Sequence, residues 1–205
     1  MVNGKMISSL TAEKLACTRG DKKLFEGLSF RVKAGQALAV EGANGAGKTS
    51  LLRMIAGFLA PVAGRIVIKT AEQESDDAEE RGKSIGWLGH HDGLKPQLTV
   101  REQLDFFAQL YRGIAEASVL AQVGLARQAD LPCRYLSAGQ RRRLALARLW
   151  VSKRPLWLLD EPFAALDAGG QALVAHLMAR HCGDGGIIIA ATHEPLGLGN
   201  ESLKL

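Results

Sequence analysis

Residues 42–49 read Gly-Ala-Asn-Gly-Ala-Gly-Lys-Thr and run straight out of the compact apolar stretch 36–40. Three glycines in eight residues disfavour a regular helix or strand there. Without Cβ atoms, such a loop can turn successive backbone N–H groups inward around anionic oxygens. Leu51, Leu52, Met54 and Ile55 then follow at helical spacing, and Gly57 stops the run. The order is therefore buried strand, glycine loop, helix N-terminus. Loop N–H groups and helix dipole converge on one anion, and a lysine and a hydroxyl follow the last glycine. A chain carrying this unit is constrained to an α/β fold with a phosphate site at the carboxyl edge of a sheet.

The rest of the chain supplies matching parts. Strands are expected over 6–16, 28–33, 65–69 and 84–88, and fully buried strands over 156–159 and 187–191. The acidic stretch 70–83 reads as a solvated surface loop. Thr99 and Glu102 have capping-box spacing before a helix expected to bury Leu104, Phe107 and Leu110. A second helix is expected over 115–123, ended by Gly124, and a third from the Ser137 cap to about Ser152. Residues 170–180 read as helical. Strands alternating with helices on both sides of a helix-rich middle predict a two-sided parallel sheet with a helical insertion.

Two acids, Asp160 and Glu161, end the buried strand 156–159, at the edge where ligands of open α/β sheets gather. Asp160 is placed to hold Mg²⁺ through its coordination shell, and Glu161 to polarise a water attacking a γ-phosphate. His193 ends the neighbouring apolar strand in the same way and can hydrogen-bond that phosphate. Lys48 can reach the β- and γ-phosphates of a nucleotide, and the Thr49 hydroxyl can ligate its Mg²⁺.

Leu136-Ser137-Ala138-Gly139-Gln140 lies some twenty residues before the acid pair. With the glycine loop and His193, it resembles the ABC ATPase nucleotide-binding domain, and the likeness covers nearly the whole chain. Ala138 stands where the family carries a glycine. The resemblance implies a P-loop NTPase (RecA-like) α/β fold in one domain, 1–205, with an N-terminal antiparallel β subdomain. Residues 1–95 and 151–205 would form the catalytic core with that subdomain, and 96–150 the helical signature subdomain. It implies ATP and Mg²⁺ bound by Gly42, Ala43, Asn44, Gly45, Ala46, Gly47, Lys48, Thr49, Ser50 and Asp160. It also implies ATP hydrolysis by Glu161 and His193. Ser137, Ala138, Gly139 and Gln140 would close over the ATP of a second copy, with Ala165, Leu166 and Asp167 crossing the dimer interface.

A narrower resemblance, to the ATP-binding subunits of cytochrome c maturation systems, rests on several stretches. They are Cys17-Thr18-Arg19-Gly20, the run from Leu88 to Pro96, the Leu-Ser-Ala-Gly-Gln-Arg-Arg-Arg variant and Ala-Thr-His-Glu-Pro-Leu. It implies integral membrane partners, a peripheral place on the cytoplasmic face of a bacterial inner membrane, and ATP hydrolysis coupled to haem export. Two positions depart from the general ABC pattern. Arg19 stands where an aromatic residue usually stacks on adenine, and a guanidinium plane can do the same. His90 stands where a glutamine usually touches Mg²⁺, and imidazole can donate one hydrogen bond and accept another.

Composition narrows the alternatives. The 205 residues are 47% hydrophobic and 23% charged, which suits a globular domain. The net charge of +5 is scattered, with only Arg141-Arg142-Arg143 as a run, so nucleic acid is not an expected partner. No apolar stretch approaches the roughly 18 residues that span a bilayer. Cys17, Cys133 and Cys182 are odd in number and far apart, as free thiols of a reducing compartment would be. The competing readings are an ABC subunit for another cargo, a non-transport ABC ATPase, a small-molecule kinase and a non-hydrolysing binding module.

Overall fold

The computed structural model describes residues 6–111, 117–198 and 201–205. Two sheets organise the chain. β1 (Ile7–Arg19), β2 (Lys22–Lys33), β4 (Ala63–Thr70) and β5 (Glu74–Ser75) form an antiparallel sheet in the order β2-β1-β4-β5. β3 (Ala37–Glu41), β6 (Ile85–Leu88), β7 (Leu156–Asp160), β8 (Ile187–Ala191) and β9 (Glu201–Lys204) form a parallel sheet, β6-β7-β8-β3-β9. Strands β1 and β2 run well beyond the stretches 6–16 and 28–33, and their pairing carries register shifts. Such irregularities break the simple alternation that marks a strand in sequence.

The parallel sheet is covered on both faces, and its strands divide their side chains accordingly. Leu38, Val40, Leu156, Leu158, Ile187 and Ile189 pack toward α1 (Lys48–Ile55) and the antiparallel sheet. Ala37, Ala39, Trp157, Leu159, Ile188 and Ala190 pack toward α5 (Ala138–Ser152) and α6 (Ala168–Gly183). A third cluster joins α3 (Val100–Leu110) and α4 (Ala117–Gln122) to α5. Helix α5 is therefore shared. Leu146 and Leu149 belong to the sheet, while Leu144, Ala147 and Val151 belong to the helical lobe.

Several expectations need correction. Leu110 is 58% exposed, because the buried face of α3 runs through Val100, Leu104 and Ala108. At 3.6 residues per turn Leu110 lies roughly 120° round the helix from Leu104. The expected helix over 115–123 is α4, and its beginning at residues 115 and 116 lies outside the described residues. Residues 70–83 are not simply a loop. They hold β5 and the short helix α2 (Ala78–Gly82), capped by Asp77. Arg81 of that helix is buried, with its guanidinium donating to the carbonyls of Ile55, Ile66 and Asp76 at 2.7, 3.1 and 3.2 Å. One cation thus ties the end of α1 to β4.

Trp157 and His181 stack 4.0 Å apart at 11° beneath the parallel sheet. Burial pushes the His181 imidazole down from its ordinary 6.5 to about 4. The neutral ring is the folded form, whereas the unfolded chain takes up a proton near pH 6.5. Stability that is full above pH 6.5 is therefore lost as pH falls toward 4, by roughly 3 kcal/mol. Urea melts across this range should show that loss, and His181→Phe, which keeps the stack, should flatten it.

Candidate functional site

The loop after β3 is built by its backbone. Gly42, Gly45 and Gly47 all have positive φ, and Gly47, the residue before α1, sits at φ 111°. A Cβ there would meet the Phe25 ring at 3.1 Å and Leu24 at 3.3 Å, so β2 forms a close floor beneath the loop. At Gly42 a Cβ would meet the Leu205 carbonyl at 2.9 Å. Leu205 donates its N–H to Glu41 O at 2.9 Å, continuing β9 alongside β3. The Lys48 side chain folds back over the loop. Its ammonium donates to Gly42 O at 2.7 Å and lies 3.0 Å from His193 Nε2.

The neighbouring strand ends bring in the other groups. Thr49 Oγ1 donates to Asp160 Oδ2 at 2.9 Å. Glu161 takes φ +50°, a left-handed turn that redirects the chain as it leaves β7. Its Oε1 lies 3.6 Å from His193 Nε2. Asn44 Oδ1 faces the same imidazole nitrogen at 3.2 Å. That nitrogen either accepts from Lys48 or donates to Asn44, so the ring proton decides between them. When Lys48 turns to an anion in the loop, Nε2 is freed to donate.

Asn44, Lys48, Thr49, Asp160 and Glu161 border a cleft of about 610 Å³, open to solvent and lined also by Arg19, Ala43, Gly45, Gly47, Ser50 and His90, whereas Gly42, Ala46 and His193 are not part of its wall. Lys22, Arg53 and Trp87 also line it, and the sequence alone did not single them out. Ser137, Ala138, Gly139 and Gln140 do not border it. Ser137 Oγ instead accepts from Gln140 N at 3.2 Å while Gln140 Oε1 accepts from Ser137 N at 2.8 Å, a complete capping box on α5. Gly139 packs so closely that a Cβ would lie 3.0 Å from Ala165 O. Asp167 caps α6 by accepting from Gly170 N at 2.8 Å, and Leu166 packs on the sheet-side core. Among the described residues no three His, Cys, Asp or Glu side chains gather to hold a metal ion, and His90 and His91 are exposed, with ring centroids 5.7 Å apart.

A strand-loop-helix anion cradle, a lysine, a hydroxyl-carboxylate pair and an acid beside a histidine on one sheet edge define a nucleotide-hydrolysing P-loop protein. Residues 25–164 match the ABC transporter family, to which the chain belongs as an ATP-binding, ATP-hydrolysing transporter subunit. The similar curated proteins are cytochrome c biogenesis ATP-binding export proteins CcmA. That of Rhodopseudomonas palustris strain BisB18 is 53% identical over 199 residues, covering 96% of this chain and 97% of the relative. That of Bradyrhizobium diazoefficiens is 46% identical over 198 residues, with coverage of 96% and 97%.

Solved structures agree on the fold. An ABC transporter ATP-binding protein from Pyrococcus furiosus superposes with TM-score 0.84 at 23% identity, covering 97% of this chain and 98% of that one. The cbiO1 protein from Clostridium perfringens, part of the ABC transporter complex cbiONQ, gives 0.74 at 27% identity, covering 90% and 78%.

Proposed function

We propose that two copies of this chain bind two ATP molecules between them and hydrolyse them to drive haem export for cytochrome c biogenesis. The observation that carries the hydrolytic part is the convergence of Lys48, Thr49, Asp160, Glu161 and His193 at one sheet edge. The loop N–H groups and Lys48 hold the β- and γ-phosphates. Thr49 and Asp160 present two hard oxygens 2.9 Å apart, a donor set that suits Mg²⁺. An ion held there would supply charge neutralisation at the phosphates. Glu161 accepts a proton from the attacking water, and His193 holds the γ-phosphate through Nε2. Arg19, exposed at the cleft rim, lays its guanidinium on adenine.

The second copy follows from what the cleft lacks. Ser137 to Gln140 form a helix N-terminus, an anion-binding element, yet lie away from the cleft of their own chain. We read residues 96–150 as the signature-bearing lobe of a single domain spanning 1–205, closing over the γ-phosphate in the other copy. Ala165, Leu166 and Asp167 lie between the two, which fits the Gly139 approach to Ala165 O.

Membrane subunits are the natural partner of the remaining open surface. No helix among the described residues is long and apolar enough to cross a membrane. A groove of about 240 Å³ between α3, α5 and β6 is lined by Phe58, Trp87, Phe107 and Tyr111. Phe58 is 71% exposed beside it. We place the membrane subunits of a cytochrome c maturation system in this groove, with the chain on the cytoplasmic face of a bacterial inner membrane. His90, on the loop between groove and cleft, takes the metal-side place and reports occupancy to those subunits. Cargo is tested by deleting the chain from its host. Covalent haem attachment to c-type cytochromes should stop while non-covalent haem proteins persist. Normal c-type cytochromes in the deletion strain would reject haem as the cargo and leave the ATPase reading intact.

A further inference from the structure

The run Arg141-Arg142-Arg143 hides one side chain that behaves unlike its neighbours. Arg142, on the second turn of α5, is 4% exposed. One guanidinium nitrogen donates to Asp160 O at 2.5 Å and to Glu161 O at 2.6 Å. The other donates to Gly89 O at 2.8 Å and to Asp92 Oδ1 at 3.2 Å. The Asp92 carboxylate is itself mostly buried, so this ion pair is poorly screened.

The geometry has a mechanical consequence. Glu161 turns through a left-handed conformation, which costs a non-glycine residue and needs outside support. Its carbonyl and that of Asp160 converge on one nitrogen, an arrangement of like dipoles that a cation stabilises. The same planar group grips the backbone on the amino side of His90. It is carried by the helix whose N-terminus is the Ser137 cap. Two loops and the signature helix, each with a separate task, thus meet on one guanidinium.

We propose that Arg142 is a positioning residue. It fixes the Asp160–Glu161 turn and the His90 loop to the signature helix, so Glu161 is aimed only while that helix is seated. This rests on Glu161 as the acid of hydrolysis. Lysine cannot reproduce the role, because a single ammonium on a flexible stem does not offer two fixed nitrogens to four acceptors at once.

The test uses the transporter complex purified with its membrane subunits. Arg142→Gln and Arg142→Lys should lower kcat for ATP about ten-fold or more. The ATP concentration for half-saturation should stay within about two-fold, because the phosphate loop is untouched. Asp92→Asn removes the negative charge from one of the four contacts but keeps an acceptor oxygen and the cation, so its kcat should fall only a few-fold. A folded Arg142→Lys complex with wild-type kcat overturns the proposal, as does a parallel loss of kcat and ATP affinity. Should Arg142→Gln fail to assemble, Arg142→Lys and Asp92→Asn decide alone. Glu161→Gln is run beside them. Normal turnover in that variant means the hydrolytic assignment has failed, not the Arg142 proposal.

Discussion

Lys48→Ala is expected to cut ATP turnover by about 10³-fold or more and to weaken nucleotide binding as well. The ammonium sits over the glycine loop, held at 2.7 Å by Gly42 O and 3.0 Å from His193. It has no anionic partner among the described residues, so a phosphate oxygen can recruit it by a small swing of the side chain. Charge builds on the transferring phosphoryl group during hydrolysis, and removing one preorganised donor from such a site typically costs 10²–10³-fold. A full positive charge contributes more than a neutral donor. Removal also frees His193 Nε2 and takes a cation from the ground-state complex. Both kcat and the half-saturation point should therefore move. Steady-state hydrolysis and equilibrium nucleotide binding measure the two separately. A variant that hydrolyses at the normal rate would remove the loop from the chemistry.

Glu161→Gln should separate binding from turnover. The substitution keeps shape and backbone, so the left-handed turn and its two carbonyl bonds to Arg142 survive. What is lost is the proton acceptor, a contribution of about 10²–10⁴ in rate. ATP should still bind with near-normal affinity, and with hydrolysis stopped it should hold two copies together. Size-exclusion chromatography with ATP and Mg²⁺ should show a dimer that wild type forms only transiently. Turnover near the wild-type rate would exclude Glu161 as the base. Tight ATP binding by a strict monomer, with membrane subunits present, would reject the shared site.

The glycine loop, the buried strands, the Thr99 capping box and the Ser137 cap were legible because each is specified locally. A positive-φ position asks for glycine, a buried strand for an unbroken apolar run, and a helix start for Thr99 with Glu102 or Ser137 with Gln140. What stayed hidden was set by distant partners. Arg81 lies in an acidic stretch and Arg142 in a basic one, so composition assigns both to solvent. Their burial depends mostly on carbonyls of other elements, up to 53 residues away. Strand β9 offers only Leu203 to its neighbours as a partly buried apolar residue, too little for a periodic signal. Asp160, Glu161 and His193 could be placed on one edge from sequence because the sheet edge follows from the strands. The cations Lys22 and Arg53 enter the cleft from other elements, and no motif links them to it.

Trp87 lies in the wall of both the nucleotide cleft and the aromatic groove, and its ring meets Phe58 edge-on at 5.7 Å. One side chain therefore answers to two surfaces at once. A substitution at Trp87 that reshapes the groove also reshapes the cleft, and a change there that favours the nucleotide is felt by whatever fills the groove. Linkage makes that influence equal in both directions. Selection on this residue cannot tune partner fit and nucleotide fit independently, so the two must have been adjusted together.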